Sequence, residues 1–147
     1  MPYPEAIFTV DQFNKDPAPF YHLVRDLFPS ELVSTPTHKF FTLLHQKGIL
    51  KRIYTQNIDA LEHIAGVPED KIIEAHGTFH RSYCTNRMCN RKYSLQWLKE
   101  RVFEGTNQDQ ASIPYCEECN SVVRPDIVFF GECKLYDSSL TNYDLLL

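Results

Sequence analysis

The stretch ILKRIYTQNIDALEHIAG, residues 49–66, decides how the sequence is interpreted, because a polar turn interrupts two apolar segments there. Its first half, short and β-branched, predicts a strand, and its second half predicts a short helix closed by Gly66. Gln56, Asn57 and Asp59 lie between them. Two explanations of these polar residues are open at this point: they cap the helix, or they contact a ligand.

The segments around this stretch alternate between helical and extended patterns. Apolar spacing predicts helices over 17–28, 36–48 and 94–103, and further strands over 71–76 and 126–131. Thr35 is suited to cap the second of these helices, with Pro36 in its first turn and Gly48 after its end. Residues 1–16 are expected to be a loop with one short turn and 104–112 a flexible loop, and YDLLL at 143–147 has the pattern of a strand cut short. Strands alternating with helices predict an α/β fold with a parallel sheet.

Polar residues or glycines follow three of the predicted strands. In parallel sheets, ligands bind outside the carboxyl ends of the strands. The residues at these ends are Gln56–Asn57, His76–Gly77 and Gly131–Glu132. We therefore expect them to converge on one site.

Four cysteines have the spacing of a zinc site. Cys84 and Cys89 form C-x4-C, and Cys116 and Cys119 form C-x2-C. Two such pairs supply four thiolates to one tetrahedral Zn²⁺, which predicts a structural site rather than a catalytic one with an open position. The alternative without a metal is that the cysteines are buried and unpaired. Cys133 stands apart and is interpreted as an ordinary thiol.

The composition limits the classes of function. The chain has 147 residues, a net charge of −4 and 43% hydrophobic residues, which fits one domain or a piece of a larger protein. An acidic balance argues against general nucleic-acid binding, although a local basic stretch runs from Arg81 to Arg101. No apolar run is long enough to span a membrane, and MPYPEAIF lacks the pattern of a signal peptide. Cysteines without a secretory signal favour a reducing compartment.

His76 ends a predicted strand and precedes a glycine. A histidine titrates near neutral pH, which suits a general base. On spacing alone, a hydrogen-bonded structural role is at least as plausible, so both interpretations stay open.

Taken in order, four motifs resemble the sirtuins, which are NAD-dependent protein lysine deacylases. The motifs are YTQNIDALEHIAG, EAHGTF, the paired cysteines and RPDIVFFGE. PYPEAIF and VRPDIVFFGE are most similar to the sirtuin-2 branch. The resemblance covers nearly the whole chain. It implies an incomplete Rossmann-like parallel sheet with helices and a small zinc-ribbon subdomain.

The resemblance also implies roles for individual residues. Gln56 and Asn57 would bind the ribose next to nicotinamide, Ile58 and Asp59 would line the nicotinamide pocket, and His76 would be the catalytic base. The segment that pairs with substrate and lines the acyl-lysine tunnel would be formed by Val128, Phe129, Gly131 and Glu132. By itself either Phe129 or Phe130 would be a core residue, and only the match to VFFGE places one of them at the tunnel. The implied products are free lysine, nicotinamide and O-acyl-ADP-ribose.

The implied ligands are NAD, structural Zn²⁺ and acetyl-lysine proteins of the histone or tubulin type. Neither nucleic acid nor membrane is an expected partner, and cytoplasm or nucleus is the expected location. We predict a cofactor and catalytic part over 1–79, a zinc subdomain over 80–124, and a return to the sheet with the substrate strand over 125–147.

One feature of the family is not found in the sequence. Sirtuins have a glycine-rich phosphate loop upstream of PYPEAIF, whereas this chain has only five glycines and no such loop. The chain is therefore expected to be truncated at both ends, with little deacylase activity alone. The alternative function is that of an inactive zinc-containing binding module.

Overall fold

The computed structural model describes residues 4–27, 32–104 and 112–132. A 3₁₀ turn, Pro4–Phe8, comes first, and another spans Glu69–Lys71. The helices are α1 Val10–Lys15, α2 Ala18–Leu27, α3 Pro36–Gln46, α4 Leu61–Ile64 and α5 Leu95–Phe103. The strands are β1 Ile53–Thr55, β2 Ile72–Glu74, β3 Gly77–Cys84, β4 Lys92–Ser94 and β5 Val123–Ile127.

The predicted helices form close to their expected bounds, because their sequences carry stop and start signals. The Thr35 N–H donates to His38 Nδ1 at 3.3 Å at the start of α3, and Gly48 follows its end with φ +72°. Ser94 Oγ accepts the Trp97 N–H at 3.2 Å at the start of α5. The predictions over 17–28, 36–48 and 94–103 are confirmed.

The amino-terminal segment is more ordered than predicted. The expected short turn is present as the 3₁₀ turn Pro4–Phe8, but the expectation of a loop is wrong for Val10–Lys15, which form α1. Thr9 Oγ1 accepts the Gln12 N–H at 3.3 Å and caps α1. Phe13 is buried against Phe20 and Phe129, with ring centroids 5.4 and 5.2 Å apart. Tertiary packing therefore stabilises a helix too short to be recognised by periodicity.

The parallel sheet has two strands among the described residues. β1 pairs with β2 in parallel register, with Ile53 opposite Ile72. Buried side chains of these strands pack with Val67. The predicted α/β class, with a parallel sheet and helices, is confirmed.

The prediction of a third parallel strand over 126–131 is wrong. The strand runs from Val123 to Ile127 and pairs antiparallel with β3, whose other neighbour is β4. The cause is Gly77, whose φ of +76° redirects the chain after β2 into β3. Of residues 128–131, only Phe130 makes a parallel bridge, and its partner is Thr9.

The main core is aromatic and lies beneath β3 and β5. Its fully buried members include Phe20, Tyr21 and Leu98. None of the helices in the described ranges is long and apolar enough to cross a bilayer. The predicted strand pattern at 143–147, most of the predicted loop 104–112 and Cys133 lie outside the described residues.

Candidate functional site

A groove of about 720 Å³ opens between the ends of the two sheets. All nine residues predicted for cofactor, catalysis and substrate line it. Its walls are formed by Phe8, Gln56, Asn57, Ile58, Asp59, His76, Ile127, Val128, Phe129, Phe130, Gly131 and Glu132. The polar turn after β1, the histidine after β2 and the segment after β5 therefore meet. The strand-end argument accounts for the first two, which follow parallel strands, whereas the third joins them from the antiparallel sheet.

His76 presents one ring nitrogen to the protein. Its Nδ1 lies 3.0 Å from the Gln56 carbonyl oxygen. Because a carbonyl oxygen only accepts, Nδ1 must carry the proton, and in the neutral ring Nε2 keeps a lone pair. The Val128 N–H donates to the His76 carbonyl at 2.9 Å, so the backbone fixes the histidine beside the 128–132 segment. This arrangement suits a general base.

The turn that carries Gln56 and Asn57 is held by the Thr55 side chain and by the backbone of β3. The Asn57 N–H donates to Thr55 Oγ1 at 3.1 Å, and the Phe79 N–H donates to the Ile58 carbonyl at 3.0 Å. Asp59 Oδ1 accepts the Leu61 N–H at 3.0 Å. The two explanations of the polar turn are thus compatible, since Asp59 supports the start of α4 and also lines the groove.

The two phenylalanines of VFFGE lie in different environments. Phe129 is 1% exposed and packs in the aromatic core, whereas Phe130 is 63% exposed at the groove. The Phe130 N–H donates to the Phe8 carbonyl at 2.7 Å, and its carbonyl accepts the Val10 N–H at 3.2 Å. Phe8 and Phe130 are groove residues absent from the predicted set. The predicted set includes Phe129, whose ring lies in the core, and omits Phe130, whose ring is exposed, because two adjacent identical residues carry no local signal that tells them apart.

Glu132 belongs to a partly buried ion pair. Arg124 donates to its two carboxylate oxygens at 2.8 and 3.0 Å, and the Phe129 N–H lies 3.3 Å from Oε2. The guanidinium of Arg124 also lies 4.8 Å from the centroid of the Phe129 ring and contacts the Tyr83 hydroxyl. Burial tends to lower the pKa of Arg124, but its contacts with Glu132 and Tyr83 together outweigh burial and raise the arginine pKa. Arg124, which sequence reasoning missed, holds the turn at the end of the groove.

The four predicted metal ligands come together at the tips of two turns. Their Sγ atoms all lie within 4.8 Å of one another, with Cys84 3.3 Å from Cys119 and Cys89 3.6 Å from Cys116. Tetrahedral Zn²⁺ with bonds of about 2.3 Å needs sulfur–sulfur distances of about 3.8 Å. The cysteines therefore fit a structural zinc ion, with every coordination position taken by sulfur.

A polar cluster centred on the buried side chains of Glu74 and His63 ties the two sheets together beside the groove. Glu74 accepts from His63 Nε2 at 2.9 Å and from Arg81 at 3.1 Å. Arg81 also reaches Asp126 at 2.9 Å and Glu69 at 2.8 Å. Burial tends to raise the pKa of Glu74, but the hydrogen bonds from His63 and Thr78 and the charge of Arg81 lower it overall. The cluster joins β2, β3 and β5 around the turn that carries His76.

Comparison with known proteins gives a consistent result. The Sir2 family profile matches residues 1–144. The chain is 48% identical over 132 residues to NAD-dependent protein deacetylase sirtuin-2 of Danio rerio, which covers 90% of this chain and 33% of that protein. It is 45% identical over 132 residues to NAD-dependent protein deacetylase sirtuin-3 of Mus musculus, covering 90% and 37%. The chain thus spans about a third of the length of these curated relatives.

Proposed function

The chain belongs to the Sir2 family, and we propose that it serves the reaction named for its relatives, NAD-dependent removal of acetyl groups from protein lysines. The observation that carries the proposal is the convergence of His76, the 56–59 turn and the 128–132 segment on one groove. The chain spans about a third of the length of each relative, and the proposal concerns this polypeptide.

The proposed division of labour follows from the groove. NAD supplies a ribosyl carbon that accepts the acyl oxygen as nicotinamide leaves. Gln56 and Asn57, exposed at the turn, would bind the ribose by hydrogen bonds, with Ile58 and Asp59 beside the nicotinamide. His76 Nε2 would take a proton from a ribose hydroxyl, since Nδ1 is committed to Gln56.

The acyl-lysine would lie between His76 and the exposed ring of Phe130. A neutral amide and an alkyl chain are compatible with aromatic walls such as Phe8 and Phe130. The backbone of Phe130 already pairs with Phe8 and Val10, whereas the Gly131 backbone has no partner among the hydrogen bonds of the described ranges. We therefore assign backbone pairing with substrate to the Gly131 turn. Glu132 would act by fixing this turn through Arg124.

The type of protein substrate and the cellular location are inferred from the sequence. We propose acetylated proteins of the histone or tubulin type as substrates, and the cytoplasm or nucleus as the location. Support for the location comes from four cysteines that fit zinc rather than disulfides. Acetylated peptides from both substrate types, compared in one binding assay, would rank them.

Peptide binding tests the proposed function without requiring turnover. A fluorescent acetyl-lysine peptide and its unmodified counterpart would be titrated with the zinc-loaded chain and followed by anisotropy. We expect about 10-fold tighter binding of the acetylated peptide, because burying a charged lysine in an apolar tunnel is costly. Phe130→Ala should abolish the preference, whereas Phe40→Ala, which truncates a solvent-exposed ring on α3, should keep it. Equal affinity of wild-type protein for both peptides would contradict the proposal.

A further inference from the structure

The Tyr93 hydroxyl lies against one of the zinc-ligating sulfurs. Tyr93 is 7% exposed in β4, and its ring stacks on Trp97 with centroids 3.9 Å apart. Its oxygen lies 3.1 Å from Cys116 Sγ and 3.0 Å from the Glu117 backbone nitrogen. Both neighbours lie in the C-x2-C turn, so one side chain contacts a ligand and the backbone beside it.

The direction of the two hydrogen bonds follows from their chemistry. A backbone N–H only donates, so the Tyr93 oxygen accepts from Glu117. The hydroxyl proton is then left for the other polar atom within reach, Cys116 Sγ. A metal-bound thiolate is an acceptor, and a donor aimed at it spreads its negative charge.

We propose that Tyr93 is a positioning residue for the zinc site, whose hydroxyl donates to the Cys116 thiolate and tightens zinc binding. Four thiolates around Zn²⁺ carry a net charge of −2, and a buried donor stabilises that excess charge where water does not reach. Hydrogen-bonded partners behind metal ligands typically contribute 10–100-fold in metal affinity.

The surrounding contacts hold the hydroxyl in this position. The Trp97 Nε1–H donates to Glu117 at 2.9 Å, and Arg101 donates to the same carboxylate at 3.1 Å. The guanidinium of Arg101 also lies 5.5 Å from the Trp97 ring centroid. Helix α5 thus anchors both the ring beneath Tyr93 and the residue after Cys116, so the donor and acceptor move together.

Zinc affinity tests the proposal directly. Tyr93→Phe removes the hydroxyl and keeps the stacked ring. Tyr115→Phe, which removes a hydroxyl from the half-exposed neighbour of the same cysteine, is the matched control. In competition between the full chain and a chromophoric chelator for zinc, we expect a 10–100-fold higher dissociation constant for Tyr93→Phe and a change below about twofold for Tyr115→Phe. Unchanged affinity in Tyr93→Phe would overturn the proposal.

Cobalt spectroscopy provides a second readout that a purely structural role would not change. When Co²⁺ replaces Zn²⁺, the site shows a thiolate-to-metal charge-transfer band, and a hydrogen bond to the thiolate moves this band to higher energy. Tyr93→Phe should therefore shift the band of the cobalt-substituted protein to lower energy. Tyr93→3-fluorotyrosine keeps the hydroxyl as a stronger donor and should shift the band the opposite way. This variant decides the matter if Tyr93→Phe does not fold, and a band that does not move in it would count against the hydrogen bond.

Discussion

Gly77 connects the strand that precedes His76 to the antiparallel sheet that leads into the 128–132 segment. Its φ is +76°, and a Cβ at this position would lie 2.0 Å from the Asp126 carbonyl oxygen and 2.7 Å from the Ile127 Cα. Both contacts are with backbone, so the clash cannot be relieved by a side-chain rotation. We expect Gly77→Ala to destabilise the fold by about 3 kcal/mol or more, which exceeds the cost of a left-handed alanine alone, about 1–2 kcal/mol.

Gly48→Ala is the matched control for this prediction. Gly48 has a similar φ of +72°, but nothing lies within 4 Å of its Cβ position. Gly48→Ala should therefore lower the free energy of unfolding by only about 1 kcal/mol. Urea unfolding of the zinc-loaded proteins measures both values, and equal losses would show that the close approach at Gly77 is not energetically important.

His76 is expected to act through Nε2, so its replacement should affect turnover more than stability. With NAD and an acetylated peptide, nicotinamide release by His76→Tyr should be about 10²–10⁴-fold slower than by the wild-type chain. Mass spectrometry under single-turnover conditions detects slow release. His22→Tyr, at an exposed position on α2, should keep the wild-type rate. Equal rates for wild-type protein and His76→Tyr would remove His76 from the role of base.

At the scale of residues, the sequence predicted which positions meet but not which ring faces the groove. His76 and Asn57 follow strands, and strand ends converge by geometry. Phe129 and Phe130 are adjacent and identical, so composition cannot distinguish them. Their environments depend on the pairing of Phe130 with Phe8 and on Arg124 beneath Phe129. These contacts join distant segments and leave no local signal.

At the scale of elements, Glu74 links β2 to the antiparallel sheet. Its side chain is 8% exposed and paired with His63 and Arg81. Because the pKa of Glu74 is lowered in the folded state below its ordinary value, its contribution to stability is full above the pKa of the unfolded chain and is lost as the pH falls through the folded pKa. Glu74→Gln should cost about 2 kcal/mol at pH 7, since it removes the buried carboxylate that accepts from His63 and Arg81, while Asp126 and Glu69 still pair with Arg81.

The pH dependence separates this effect from general acid unfolding. In urea titrations between pH 3 and pH 7, the stability difference between wild type and Glu74→Gln should shrink toward acid pH. Glu5→Gln, which removes an exposed carboxylate, should follow the wild type throughout. A constant difference at all pH values would mean that the charge of Glu74 is not the source of its contribution.

The antiparallel sheet is predicted to depend on zinc. β3 ends at Cys84 and begins at Gly77, so it carries a metal ligand at one end and adjoins His76 at the other. Chelation should therefore unfold the cysteine turns and loosen the groove as well. Trp97, the one tryptophan of the chain, stacks beside the site and should report metal loss by fluorescence. Added zinc should restore the signal, whereas an unchanged far-UV spectrum after proven metal removal would contradict this prediction.

Elements were predictable where local chemistry specifies them. Thr35, Ser94 and Gly48 mark helix ends, and the paired cysteines mark the zinc site. The pairing of β5 was not predictable from alternation, because it depends on the turn at Gly77 and on a register shift between Thr78 and Ser82. That shift places Pro125, which lacks an N–H, opposite Ser82. Residue periodicity therefore cannot predict strand pairing that depends on such a register shift.

At the scale of the whole molecule, the groove lies where a parallel pair and an antiparallel sheet meet. The parallel pair supplies the 56–59 turn and His76, and the antiparallel sheet leads into the 128–132 segment. The Glu74–Arg81–Asp126 contacts tie the two together. The groove therefore brings together the groups that we propose bind the nicotinamide ribose and an acyl-lysine. Phosphate binding needs backbone donors of a different kind, typically a glycine-rich loop at a helix start.

This distribution of groups predicts how the 147-residue polypeptide binds pieces of NAD. Its sequence has no glycine-rich phosphate loop, so the pyrophosphate and adenosine should add little affinity. By calorimetry, nicotinamide riboside and NAD should bind with dissociation constants within about threefold of each other, and Asn57→Ala should weaken both by about 10-fold through loss of a ribose hydrogen bond. Asn14→Ala, at an exposed position on α1, is the control. Binding of NAD 100-fold tighter than the riboside would mean that other backbone donors of this chain hold the phosphates.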